Sequence, residues 1–281
     1  MLSPLSSGPL RDGPSVRPVP GGIPSPGSGI ERTHRPAPTG PVLFARYAFG
    51  PNRFGLCGPE DWRALLELGA SGSDDRALRQ LAQGFEGAYP YLQLLADSAG
   101  LPDPLDRRVV EAYWIGSPLS DAVDPGLMAR SLAVRFRPRL DAGTWKWLGQ
   151  KPAVGARPTH AFHVLDVFPR VGLMRGGKVD DVVGLMDSCR IRWGRVVDAS
   201  GEKLVVEAVP LALVDGRLRL GEPRIETVQR WLDGAGFLDA VLPGDVVTLH
   251  WDWACERLSP ARLHNLVSRT ISQIAIANQT L

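Results

Sequence analysis

The chain has 281 residues, 44% of them hydrophobic, which is enough apolar surface for a sizeable core without covalent staples. Its 32 basic and 30 acidic side chains nearly cancel at a net charge of +2, so bulk charge implies no polyanion-binding surface and argues against nucleic acid as a partner. Three widely spaced cysteines without a Cys-x-x-Cys pair, no signal-peptide pattern and no run near the ~20 apolar residues that span a bilayer point to a soluble cytoplasmic protein with reduced thiols and no membrane contact.

Residues 1–41 carry ten Pro, seven Gly and six Ser and almost no aromatic side chain, so they are expected to be a disordered tail that cannot offset its ordering entropy. From Val42 the composition turns apolar: Phe44 to Phe49 is aromatic-rich, and Gly50 to Gly58 reads as a compact turn region containing Cys57, a small packed residue on the bland reading and, because glycines let backbone and ion approach closely, a metal ligand on the alternative. A run of amphipathic helices follows. Pro59 to Gly69 sets Trp62, Leu65, Leu66 and Leu68 on one face; Ser73-Asp74-Asp75 caps a second helix; Pro90 to Ala99, Asp106 to Ile115 and Asp121 to Val134 continue the pattern. Arg130, Arg135, Arg137 and Arg139 precede Trp145 and Trp147, an Arg and Trp grouping that suggests a partner-facing interface, the bland alternative being a solvated face. Residues 42–150 therefore read as an N-terminal helical domain.

Residues 151–158, rich in Pro, Gly and Ala, read as an interdomain linker. Thr159 to Phe168 alternates as a strand would, with His160, Phe162, Val164 and Asp166 on one face and His163 on the other, so a His-x-x-His metal pair works only if this stretch is a helix; singly, His160 or His163 would line an interdomain cleft. Gly176-Gly177-Lys178 lacks the spacing of a phosphate loop and reads as a turn before a helix at Val179 to Met186.

From Cys189 onward, β-branched runs alternate with turn residues: Cys189 to Val197, Lys203 to Val209, Leu211 to Val214, the hairpin signal Asp215-Gly216, Arg217 to Leu220, and Pro243 to His250. Ser259-Pro260 then opens a C-terminal helix striped with Leu263, Leu266, Val267, Ile271 and Ile274. This predicts an α+β chain whose residues 159–281 form a small antiparallel β-barrel with a C-terminal helix. Barrel closure brings distant strand ends together, so Cys189 and His250 are candidates to meet.

Cys189-x-x-x-x-Gly194-x-x-Val197 and Gly244-Asp245-x-Val247-x-x-His250-x-x-x-Ala254-x-x-x-Leu258 resemble the small [NiFe]-hydrogenase assembly chaperones of the HypC/HupF type. The resemblance implies an OB-like barrel that carries or docks iron transiently through Cys189 and His250 and binds the hydrogenase large subunit or another maturation protein. Asp252, two residues on from His250, is a candidate to accept from the imidazole's other nitrogen and hold the ring in place. This sequence departs from the family in an internal Cys189, in Trp193 where the family has Pro, and in an apparent insertion at about 221–242. The whole chain also looks like an uncharacterised bacterial family loosely associated with hydrogenase gene clusters. Two other readings compete: an OB-like protein- or nucleic-acid-binding module stacking bases on Trp193, Trp251 and Trp253, and a Cys/His hydrolase or transferase with Cys189 activated by His250.

Overall fold

In this computed structural model, residues 37–171, 179–238 and 240–280 are described. The expected tail up to residue 36 and the Gly176-Gly177-Lys178 turn lie outside them. The chain is α+β: helices occupy most of the sequence up to Cys189, mixed strands follow, and one long helix ends the chain. Among the described residues no helix is long and apolar enough to cross a membrane.

The central element is α1 (Gly40–Asn52), which starts inside the stretch composition had assigned to the tail. Pro41 in its first turn suits a helix start, where an amide would have no partner. Of its thirteen residues only Arg46 is not buried, the mark of a helix enclosed on all sides. Around it lie α2 (Trp62–Ser71), α3 (Arg76–Gln83), α4 (Tyr89–Ala99), α5 (Arg107–Trp114), α6 (Pro118–Asp121), α7 (Pro125–Phe136) and α8 (Ala142–Gly149). Asp75 starts α3 as the sequence suggests, accepting from the Leu78 amide at 2.8 Å, and Ser117 starts α6 in a reciprocal capping pair with Ser120.

Two expectations fail between α8 and the first strand. Residues 151–158 are no linker: Lys151 and Pro152 are buried in a 3-10 turn, Lys151–Val154. Thr159 to Phe168 is no strand either. A continuous helical stretch runs through α9 (His160–Phe162), a π-helical segment His163–Val167 and α10 (Phe168–Val171), with Thr159 as N-cap. Apolar residues on both sides of the stretch are buried, so an alternation that looked two-faced reflects a helix packed all round. Then α11 (Val179–Cys189) leads into the sheet.

The strands are β1 (Arg192–Asp198), β2 (Lys203–Ala208), β3 (Leu211–Val214), β4 (Arg217–Leu220), β5 (Arg224–Gln229), β6 (Trp231–Leu232), β7 (Ala235–Gly236), β8 (Val246–His250) and β9 (Trp253–Arg257), followed by α12 (Pro260–Ala277). Five strands close on themselves in the order β1-β2-β5-β9-β8. All pairings are antiparallel except β5 with β9, which is parallel. The expected insertion therefore supplies a closing strand, β5, together with the small β6-β7 hairpin. β3 and β4 pair only with each other through Asp215-Gly216, whose two positive φ angles of 51° and 71° match the expected tight turn but stand outside the closed sheet.

The expected boundary between a helical domain (42–150) and a barrel domain (159–281) is not a physical one, because residues 36–281 form one compact unit. A single apolar cluster joins α1, α4 and α5 to Trp253, Cys255 and Leu258 of the sheet region. Val196, Leu204, Val206, Val228, Val247 and Leu249 fill the closed sheet's interior, while the outer side of β8 and β9 packs against α1.

Lys151 and Asp166 form a buried ion pair at 3.1 Å. The Lys151 ammonium also donates to the Ile276 carbonyl at 2.7 Å and the Thr280 hydroxyl at 3.0 Å, while Gln273 donates to Asp166, so the π-helical segment is tied to α12. Removing one member leaves a buried charge without its counter-charge. Lys151→Met is expected to cost about 3–5 kcal/mol in urea unfolding, and Lys151→Met combined with Asp166→Leu distinctly less. Equal losses in the single and double variants would show that the pair does not carry this contact.

Candidate metal centre

Three element ends converge on one point. His160 is the first residue of α9, Cys189 the last of α11 and His250 the last of β8. One potential ligand atom from each lies within 4.8 Å of the others, and the His160 and His250 ring centroids are 5.0 Å apart. The pairing of Cys189 with His250 expected from the sequence is thus present, and His160, expected only in a cleft, joins it. The helix in place of the strand is what turns His160 inward.

The orientation of His250 follows from a proline. Within α1 the Tyr47 carbonyl would ordinarily accept from the amide four residues on, but that residue is Pro51, which has no amide hydrogen. The carbonyl accepts instead from His250 Nδ1 at 2.6 Å. Gly50 makes the approach possible, since a Cβ there would sit 2.4 Å from the His250 carbonyl oxygen. A carbonyl only accepts, so Nδ1 carries the proton and Nε2 is left with a lone pair. That Nε2 is buried and makes no hydrogen bond; the Cys189 carbonyl lies near enough to favour a charged ring but has no hydrogen to offer the lone pair. A metal-binding imidazole is ordinarily held in this way, one nitrogen donating to a backbone carbonyl and the other free to ligate. The residue after it, Trp251, has a φ of 57°, an uncommon conformation for a bulky side chain, in the tight turn that joins β8 to β9.

His160 is more occupied. Its Nε2 donates to the Cys189 carbonyl at 2.8 Å, and its Nδ1 accepts from the Tyr113 hydroxyl at 3.2 Å. Ligation through His160 therefore requires giving up one of these bonds, whereas His250 gives up none. Trp114 lies against both rings, at 4.7 Å from His160 and 5.7 Å from His250.

Desolvation sets the charge state. Burial pushes His160 down to about 4, and burial followed by the nearby His160 ring holds His250 well below the ordinary imidazole range, against the pull of the Tyr47 and Cys189 carbonyls. Burial pushes the Cys189 thiol up to about 12, opposed by the Trp251 side chain. The donors are neutral at pH 7, so a metal binding Cys189 displaces a proton, while His250 offers its Nε2 lone pair at once and His160 does so only after giving up a hydrogen bond.

The three side chains line a cavity of about 580 Å³ whose walls include Phe85, Tyr113, Trp114, Phe168, Leu185 and Trp251. His163 lines it too, its Nδ1 3.4 Å from the Tyr91 hydroxyl and its ring 6.5 Å from that of His160, and burial pushes it down to about 3. It therefore belongs to the cleft and not to the three-residue cluster. Cys57, read from sequence as packed, is exposed and lines the same cavity. Desolvation of the sulfur, then Cys189, pushes its thiol up to about 12, although the residue as a whole is exposed at the surface.

Other expected site residues fall elsewhere. Asp252 does not orient His250: its carboxylate pairs with Arg53 at the end of α1, and the Tyr47 carbonyl takes the orienting role. Trp145 and Trp147 are half-buried against the helical core, so they are not projecting interface anchors; Arg130 and Arg137 are exposed. Arg135 stacks over Tyr91 at 4.1 Å and donates to the Gly87 carbonyl at 3.1 Å, which makes it part of the cavity's surroundings. Trp253 is fully buried and offers no stacking face. The sequence signal that was missed is the Tyr47 and Pro51 pair, four apart in an apolar helix.

A family model described as "Family of unknown function (DUF6390)" matches residues 36–281. No curated protein and no solved structure matches the chain.

The depressed imidazoles make stability depend on pH. The folded state keeps His160 and His250 neutral below the unfolded value near 6.5, so the unfolded chain binds more protons there and stability falls as pH drops. Between pH 7 and 5.5 each ring is expected to remove about 1 kcal/mol, with the full contribution present above ~6.5. Urea unfolding of the metal-free protein across this window checks it: His160→Asn should flatten the slope, and a flat profile in the wild type would refute the buried neutral state.

Proposed function

The chain belongs to the DUF6390 family, and we propose that it is a metal carrier that holds a soft transition metal through Cys189 Sγ and His250 Nε2, with His160 as an exchangeable third donor. The buried, unpartnered Nε2 of His250 carries this reading, because such an atom loses hydrogen bonding on folding that a metal would restore. Thiolate with imidazole suits iron, copper, nickel or zinc. Two committed protein ligands and one exchangeable donor leave positions for non-protein ligands and for release, as carriage requires and structural storage does not.

Combined with the sequence blocks around Cys189 and His250, this supports a [NiFe]-hydrogenase maturation chaperone of the HypC/HupF kind, carrying iron to the large subunit or to another maturation protein in the cytoplasm. The five-strand order with one parallel closure, β5 to β9, supports reading the sheet as an OB-like barrel fronted by a helical region. The cavity has room for small ligands on the metal, and its mostly apolar walls favour neutral or weakly hydrated ones. Phe54 and Leu56 are exposed beside the mouth, an apolar rim suited to a partner polypeptide. A Cys/His acyl-transfer site is disfavoured: desolvation moves Cys189 and His250 toward their neutral forms, opposite to the thiolate and imidazolium such a nucleophile uses.

Cys189→Ser and His250→Ala are each expected to weaken cobalt(II) binding by the full chain at least about tenfold, and the double variant to add little, because the two act as one unit. Hydrogenase activity of a host strain carrying each substitution should fall in parallel. Unchanged cobalt binding would remove the site; normal binding loss with wild-type hydrogenase activity would remove the maturation role.

A further inference from the structure

The loop after α1 brings a second thiol to the cavity that holds Cys189 and His250. Cys57 is exposed where the cavity meets solvent, whereas the cluster of three donors lies at its buried end. The loop's shape comes from Asn52, whose side-chain amide donates to the Cys57 and Pro59 carbonyls, each at 2.7 Å. Gly55 and Gly58 bracket Cys57 with φ angles of 68° and 77°, and a Cβ on Gly58 would lie 2.3 Å from the Phe85 ring in the cavity wall. Glycine at 58 thus lets the loop lie directly on the wall with Cys57 at the mouth.

We infer that Cys57 is the capture ligand of this site: it takes a soft divalent metal at the mouth and passes it inward to Cys189 and His250. The inference rests on the metal-carrier reading. Two independent observations meet in one cavity, an accessible soft donor at the opening and a buried imidazole nitrogen with no partner at the far end. Each exchange balances in protons. Cys57 loses its thiol proton to water as its bond to the metal forms; that bond then breaks and Cys57 is reprotonated from water while Cys189 gives up a proton to bind the same ion. His250 is already neutral and adds its lone pair without a proton step. The inward direction follows from chelation, one donor at the mouth against two or three at the buried end.

Anaerobic stopped-flow mixing of the full chain with cobalt(II) chloride, read through the thiolate-to-cobalt absorption, tests it. Cys57→Ser is expected to slow uptake about tenfold and to reach the wild-type final spectrum, because the oxygen left behind is a poor soft-metal donor at neutral pH. Cys189→Ser should show a fast, weak thiolate phase that disappears when Cys57→Ser is added. Unchanged uptake in Cys57→Ser overturns the inference, and so does a final spectrum that has lost thiolate absorption, which would make Cys57 a resident ligand. If the wild type gives no thiolate-to-cobalt absorption, the carrier reading fails and this inference falls with it; a normal wild-type spectrum with unaltered Cys57→Ser kinetics removes this inference alone.

Discussion

The missing amide hydrogen of Pro51 governs the centre of this molecule. It strands the Tyr47 carbonyl inside a helix that is buried nearly all round, where an unpaired acceptor is costly, and the imidazole of His250 meets the need. That one bond joins α1 to the β8-β9 hairpin, fixes the tautomer of His250 and turns its second nitrogen into the cavity. Gly50 supplies the clearance, and the Arg53 to Asp252 ion pair closes the same junction one turn further on. The helical region and the closed sheet share a core because this junction leaves no gap between them.

The other two donors depend on the junction indirectly. Cys189 ends α11, and its carbonyl accepts from His160, so the end of α11 and the start of α9 hold each other across the site. The buried Lys151 and Asp166 pair, with Gln273 donating to Asp166, anchors the π-helical segment that continues α9 to α12. The Ser188 carbonyl accepts from the Trp251 amide at 2.7 Å, tying α11 to the strained hairpin turn. Each donor is therefore set by a backbone contact to a different element, the arrangement by which a folded chain holds a site rigid before any ligand arrives.

Desolvation gives the cluster its chemical character. Burial keeps two imidazoles and a thiol neutral within a few ångströms of each other, a combination that would be repulsive were the rings protonated. Among apolar and aromatic walls, such a group favours a soft cation that replaces one proton over general acid-base work, which needs groups poised to change charge near neutral pH.

The sequence by itself determined the local features whose causes lie within a few residues: the caps at Asp75 and Ser259, the Asp215-Gly216 turn and the C-terminal helix; the meeting of Cys189 with His250 was legible only through the expectation that a closed sheet brings its strand ends together. It misread Thr159 to Phe168 as a strand because burial on every side erases the difference between the two periodicities. It misread residues 151–158 as linker because Pro, Gly and Ala also suit a tight turn packed in a core, and the partner of Lys151 lies on another element. It set β5 aside as an insertion because the resemblance supplied the frame, whereas β5 pairs antiparallel with β2 along its length and closes on β9 by a parallel contact. Only tertiary structure decided that His160 meets Cys189 and His250, that Tyr47 and not Asp252 orients the imidazole, and that Cys57 opens onto the same cavity. Those are contacts between elements, set by which buried polar groups find partners across the whole chain, and no window of sequence contains both sides of them.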